Sequence, residues 1–151
     1  MIVLAIDTAG VDCAAAVFDS DAGAILGRVS ETIGRGHAER LMAMIDEALA
    51  EAKLSLTDVG RIGVTIGPGS FTGIRVGVAA ARGLALALDV ECVGVSTLEV
   101  LSQTSPEKHG LILAAINAHR DEVYAQSFED GVPQGEPLLL ELDDYLARAA
   151  V

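Results

Sequence analysis

Aromatic residues are nearly absent from this chain. Two tyrosines, three phenylalanines and no tryptophan make up 3% of its 151 residues. The core must therefore be built from Ala, Val, Leu and Ile, which suits closely packed helices and buried strands. Basic charge is scarce too: ten Lys and Arg stand against 22 Asp and Glu, a formal net charge of −12. The stretch 129–144 carries Glu129, Asp130, Glu136, Glu141, Asp143 and Asp144 and no Lys or Arg. A protein that binds nucleic acid by itself needs clustered positive charge to displace counterions, so autonomous RNA or DNA binding is not expected. The two cysteines, Cys13 and Cys92, have no metal-ligand or redox spacing. Each lies in an apolar run and reads as a small buried hydrophobe. No uninterrupted apolar run reaches the ~18 residues of a spanning helix. The opening MIVLAIDT has no basic residue and an early Asp7, unlike a signal peptide. A cytosolic chain without membrane contact is expected.

What is present is aliphatic bulk. The chain is 51% hydrophobic with a mean hydropathy of +0.45, ample for one domain or for two small halves. IVLAI (2–6), AAAVF (14–18) and AILGRVSE (24–31) read as three consecutive strands, the first two joined as a hairpin. A helix is predicted from His37 to Lys53. Ala38, Leu41, Met42, Ile45, Ala48, Leu49 and Ala52 recur there at three- and four-residue steps and form one face. RIGVTI (61–66) reads as a fourth strand, about 74–88 as a second helix and VECVGV (90–95) as a fifth strand. STLEVLSQ (96–103) reads as a helix with Ser96 and Glu99 placed for a capping box. SPEKHG (105–110) is the best boundary. After it LILAAINA (111–118), the turn HRDE and VYAQSF (123–128) echo the opening hairpin, and DDYLARA is helix-like. The second half reads as the start of a repeat that is not completed.

The segment IGPGSFTGIRVG (66–77) runs from a strand into a helix through glycines. Such turns can hold phosphate on backbone N–H groups and a helix N-terminus. The known phosphate motifs do not fit. A P-loop needs Gly-Lys-Ser/Thr where this chain has Gly73-Ile74-Arg75. Gly67, Gly69 and Gly73 miss the dinucleotide spacing by one residue, which is about 100° of helix. A tight corner fits better, with Ser70 or Thr72 as helix cap. Gly73, Gly77 and Ala80 or Ala81 form one small-residue stripe, and Ala79, Gly83 and Ala87 a second. Small stripes let another backbone approach closely, so this helix is expected to pack tightly on a second helix of this or another chain.

No catalytic set stands out. His37 opens a helix, but Arg40 and Leu41 occupy the positions where a second metal ligand would stand. His109 and His119 have no spacing that links them to His37. Asp7 follows a strand and could hold a metal-bound phosphate with Thr8, or simply form an Asx-turn. Ser70 lacks the Gly-x-Ser-x-Gly elbow. Lys53 and Lys108 are the only lysines, which leaves no phosphate clamp.

IVLAIDTAGVDCAAAVFD, GRGHAERLMAMID, IGPGSFTGIRVGVAAARGLALAL, GVSTLEVL and AAINAHRDEVYAQSF, in this order, resemble the TsaB (YeaZ) family. The resemblance runs from Met1 to about Val151, and GPGSFTGIR is its most specific segment. Members of the family generally continue well beyond this length. The resemblance implies an α/β, actin-like/Hsp70-like ATPase fold with duplicated ribonuclease-H-like halves. Residues 1–104 would be a complete N-terminal lobe with a helical partner interface, and 105–151 the incomplete start of a second. It implies a non-catalytic subunit that pairs with TsaD for threonylcarbamoyl transfer to adenosine of tRNA. That assembly also engages the ATPase TsaE and touches tRNA only as a complex, and a homodimer forms when the partner is absent. The metal-binding His-x-x-x-His of TsaD would fall here on His37 and Leu41, so no metal and no cofactor are expected.

Leu41, Met44, Ile45, Val76, Ala79, Ala80 and Gly83 are the candidate interface residues. The competing reading is a nucleotide-dependent enzyme, an ATPase or small-molecule kinase of the same superfamily, using Asp7, Thr8, Gly69 and Ser70 on phosphates. A metallopeptidase is a third.

Overall fold

The computed structural model describes residues 1–107 and 109–150; Lys108 and Val151 lie outside the described residues. The chain divides into two compact units, Met1–Val95 and Ser96–Val151.

The first unit opens with β1 (Ile2–Asp7), β2 (Asp12–Asp19) and β3 (Ala24–Thr32), then α1 (His37–Ala52), a single 3₁₀ turn at Leu56–Asp58, β4 (Val59–Thr65), α2 (Phe71–Leu88) and β5 (Glu91–Val95). Its sheet has the order β3-β2-β1-β4-β5. The β1–β2 and β2–β3 pairs are antiparallel, while β4 runs parallel to β1 and β5 parallel to β4. The mixed pattern follows from connection length: short turns return the chain antiparallel, and only the helical crossovers α1 and α2 are long enough to bring a strand back parallel.

One face of this sheet is the core. Leu4, Ile6, Cys13, Ala15, Val17, Ile62 and Val64 alternate along their strands and meet Leu41, Met44, Ile45, Ala48 and Leu49 of α1 and Ala81 and Ala85 of α2. On α1 the buried residues step by three and four along a single stripe, and Met42, placed on that face by the sequence reading, is exposed. On α2 the first small-residue stripe packs within the chain, and its neighbour is a strand end rather than a helix. A Cβ on Gly73 would overlap the Thr8 carbonyl, and one on Gly77 would overlap the Thr8 hydroxyl. α2, 18 residues long with a mean hydropathy of 1.4, could cross a membrane by length and composition alone. No such stretch was evident in the sequence because Thr72, Arg75 and Arg82 interrupt it. In this fold its buried residues are Gly73, Gly77, Ala81 and Ala85.

The second unit holds α3 (Thr97–Gln103), β6 (Leu111–His119), β7 (Glu122–Glu129), the short strands β8 (Val132–Pro133) and β9 (Leu138–Glu141), and α4 (Leu142–Ala149). β7 is central: it pairs antiparallel with β6 on one side and with β8 and β9 on the other. Leu98, Ala114 and Phe128 are its buried core, with Leu101, Ile112, Ile116 and Tyr124 packed around them. Because Leu98 belongs to this cluster, α3 packs with the second unit; a division after 104 would separate it from its core. The capping box foreseen at Ser96 is not made: the Ser96 hydroxyl is buried without a described hydrogen-bond partner.

Candidate partner-binding face

Asp7, Thr8, Gly69 and Ser70 do come together, where β1, β4 and the start of α2 meet. Their polar groups are turned on one another. Asp7 Oδ1 accepts from the Thr65 hydroxyl at 2.7 Å and from the Ala9 amide at 3.0 Å. Thr8 is fully buried, and its hydroxyl donates to the Gly73 carbonyl at 2.6 Å. The Ser70 amide donates to the Ala9 carbonyl at 2.6 Å, and the Ser70 hydroxyl accepts from the Gly73 amide at 3.1 Å, capping α2. A Cβ on Gly69 would overlap that same Ala9 carbonyl. Two amides that a phosphate would use are thus spent inside the protein, and a carbonyl oxygen stands against the turn. The geometry is that of a braced corner aiming α2.

His37 is buried, and its Nε2 lies 3.1 Å from the Asp12 carbonyl. A carbonyl only accepts, so Nε2 carries the proton there. The imidazole pins the start of α1 to the start of β2. Leu41, one turn on, is 1% exposed in the core.

The seven candidate interface residues divide sharply. Leu41, Met44 and Ile45 are at most 1% exposed; they hold α1 on the sheet and no partner can reach them. A helix with one apolar stripe spends it on its own core before any partner arrives. Val76 and Ala80 are half-buried against that core. Ala79 and Gly83 are exposed, and a Cβ on Gly83 would meet nothing. Leu86, 85% exposed, and Ala87 continue the same outward face. Phe71 is exposed at the N-terminal end of α2, with the Arg75 guanidinium 3.6 Å over its ring. On α1 the outward residues include Met42 and Ala43. The sequence reading missed Leu86, which falls off the buried four-residue series of α2 while remaining apolar, and it placed Met42 on the buried face of α1, where the structure leaves it exposed.

α1 also carries a charged triad that reaches β3. Arg40 sits between Glu31 and Glu47, with its Nε 2.9 Å from Glu31 and its Nη1 2.7 Å from Glu47. Hydrogen bonds from Arg40 hold both carboxyls below their ordinary range, and the two carboxylates push the guanidinium up.

The family model described as TsaD, tRNA N6-adenosine threonylcarbamoyltransferase, matches residues 19–148. The tRNA threonylcarbamoyladenosine biosynthesis protein TsaB of Escherichia coli is 38% identical over 144 residues, covering 90% of this chain and 60% of that protein. The crystal structure of YeaZ from Pseudomonas aeruginosa superposes with a TM-score of 0.82 at 34% identity, covering 93% of this chain and 67% of that one. The ROK hexokinase of Thermus thermophilus, at 22% identity and a TM-score of 0.56 over 91% of this chain and 49% of that one, shares the fold alone. The fold is of the actin-like ATPase type. This chain thus spans about 60% of the length of the E. coli relative. It belongs to the TsaD family of threonylcarbamoyltransferase-related proteins, on its TsaB (YeaZ) branch.

Proposed function

We propose that this chain is a non-catalytic scaffold subunit. It pairs with a TsaD-like catalytic subunit for threonylcarbamoyl transfer to adenosine of tRNA. The observation that carries the reading is the outward face of α2, where Ala79, Gly83, Leu86 and Ala87 stand in solvent on a helix whose other face is already committed to the core. The small residues let a second helix approach closely, and Leu86 supplies apolar area to bury, worth about 2 kcal/mol for a fully buried leucine. A TsaE-like ATPase joins the assembly in the cytoplasm, and tRNA is met only through the complex, in keeping with a net charge of −12. In the absence of the partner the same face closes on a second copy.

The test is the light-scattering mass of the chain alone and mixed with a TsaD-like subunit, repeated with Gly83→Leu. Open space around Gly83 lets that variant fold. A heterodimer lost on substitution supports the reading. A monomer that ignores the catalytic subunit ends it, and nucleotide binding at Asp7 would then be measured next.

A further inference from the structure

From Val59 to Leu88 the chain holds three arginines and no Asp or Glu, against 22 acids in the whole sequence. Two of the three, Arg75 and Arg82, lie on α2, and both are exposed. Seven residues are almost two full turns, so they share one side of the helix about 10 Å apart. With Phe71, Ala79 and Leu86 they make an exposed row. Its steps of four, four, three and four residues follow the line along which a second helix makes contact. Arg40 and Arg61 are each tied to glutamates of this chain. Among the described residues Arg75 and Arg82 have no carboxylate partner. The Arg75 guanidinium lies 3.6 Å over the Phe71 ring, which fixes its position and leaves its N–H edge free for a carboxylate. The exposed charges of α1 have the opposite sign: Glu39, Asp46, Glu47 and Glu51.

We propose that Arg75 and Arg82 select the partner that α2 takes, an inference that rests on the pairing proposed above. They dock on carboxylates carried at the same seven-residue interval by a helix of the catalytic subunit, while Ala79 and Leu86 bury apolar area beside them. The same row weighs against a second copy of this chain approaching α2 to α2, since arginine then meets arginine. Charge placed in this way acts mainly on the rate of encounter and on the choice of partner. A tRNA backbone would satisfy two arginines, but it gives Leu86, 85% exposed, nothing apolar to cover it.

The measurement is the association rate of the chain with a TsaD-like subunit at increasing NaCl. Arg75→Glu, Arg82→Glu and Arg28→Glu change the net charge by the same amount. Arg28 is exposed on β3, an edge strand three places from β4, on which α2 packs. Each α2 variant should slow association about tenfold at low salt and flatten its salt dependence, whereas Arg28→Glu and Arg82→Lys should stay within about twofold of the parent. Urea unfolding of each variant separates folding from docking. Arg82, with no ring contact among the described residues, carries the test if Arg75→Glu loosens Phe71. A parent that pairs at a rate untouched by Arg75→Glu and Arg82→Glu would overturn the proposal and leave the pairing standing. So would an equal loss with Arg28→Glu, which would be the effect of net charge alone. Labelled tRNA bound by the chain by itself and released by Arg82→Glu would also overturn it, giving the row to phosphate. A parent that never pairs ends the pairing and this proposal together.

Discussion

The hydroxyl of Thr8 donates to the carbonyl of Gly73 at 2.6 Å, and the carbonyl of Thr8 fills the space where a side chain on Gly73 would begin. The end of β1 and the first turn of α2 are thus in direct backbone contact. Gly73→Ala should destabilise the fold by about 1–3 kcal/mol, the usual cost of overpacking where backbone must move. Gly83→Ala, on the same helix with nothing around its Cβ, should instead stabilise it by up to about 1 kcal/mol through helix propensity. Urea unfolding of the two variants side by side reads both signs; a Gly73→Ala chain as stable as the parent would refute the close approach.

Asp7 has a structural role that predicts its own pattern of variants. Asp7→Ala leaves the nearly buried Thr65 hydroxyl without its acceptor and the Ala9 amide without its turn, at a cost of about 1–3 kcal/mol. Asp7→Asn keeps an oxygen in place and should lose much less. Calorimetry with magnesium and ATP should give no binding heat for either variant or for the parent. Heat in the parent that vanishes with Asp7→Ala would restore the nucleotide-dependent reading.

Leu86 and Met44 are both apolar helix residues, one exposed and one buried in the core, and the proposed pairing gives them opposite duties. Leu86→Lys, at a site 85% exposed, should change stability by no more than about 0.5 kcal/mol while abolishing the mass increase with the catalytic subunit. Met44→Ala, at a site with no exposure, should cost about 2–5 kcal/mol. Denaturation and light scattering on the same preparations separate folding from pairing. A Leu86→Lys chain that still pairs would remove α2 from the interface.

The strand pattern was legible because short apolar runs bounded by turn residues leave little choice: β1, β2, β3, β6 and β7 lie close to where their residues place them. β8 and β9 were not legible, since strands of two and four residues, one ending at Pro133 and the other starting after Pro137, are too short to show a period. The capping role of Ser70 was visible in its type and position, whereas that of Ser96 was not made, because the hydroxyl is turned inside. On α1 an apolar face was read correctly as a face and incorrectly as an interface. Leu41, Met44 and Ile45 carry the same hydrophobicity whether they meet their own sheet or another chain, and only the fold says which comes first. Gly83 was distinguishable from Gly73 and Gly77 only once Thr8 was in place.

Arg40 should give the chain a specific acid sensitivity. Its hydrogen bonds lower the pKa values of Glu31 and Glu47 in the folded state. A depressed carboxylate stabilises the fold at pH above its unfolded value, and that stability is lost as pH falls through the folded value. The unfolded reference is about 4.3 for Glu, so the loss begins near there and continues below. Urea midpoints measured from about pH 6 down to about pH 2 should fall more steeply in the parent than in Arg40→Gln across that window. Parallel curves would mean that the triad contributes nothing to folding, as many surface ion pairs do.

The two cysteines offer a check on the core itself. Cys13 has no exposure, and burial is the first cause that pushes its thiol up from its ordinary value. Cys92 is half-buried on β5, an edge strand of the same sheet. The thiolate is the reactive form, so a raised pKa and a closed site both slow Cys13. A chromogenic disulfide at neutral pH should label Cys92 alone in the native chain, and Cys13 only at the rate of unfolding. In urea both should react together. Cys92→Ser should therefore abolish fast labelling and leave a slow phase that tracks stability across the variants above. Fast native labelling of Cys13 would show that β2 opens without global unfolding, and that the His37–Asp12 contact holding α1 beside it is not closed in solution.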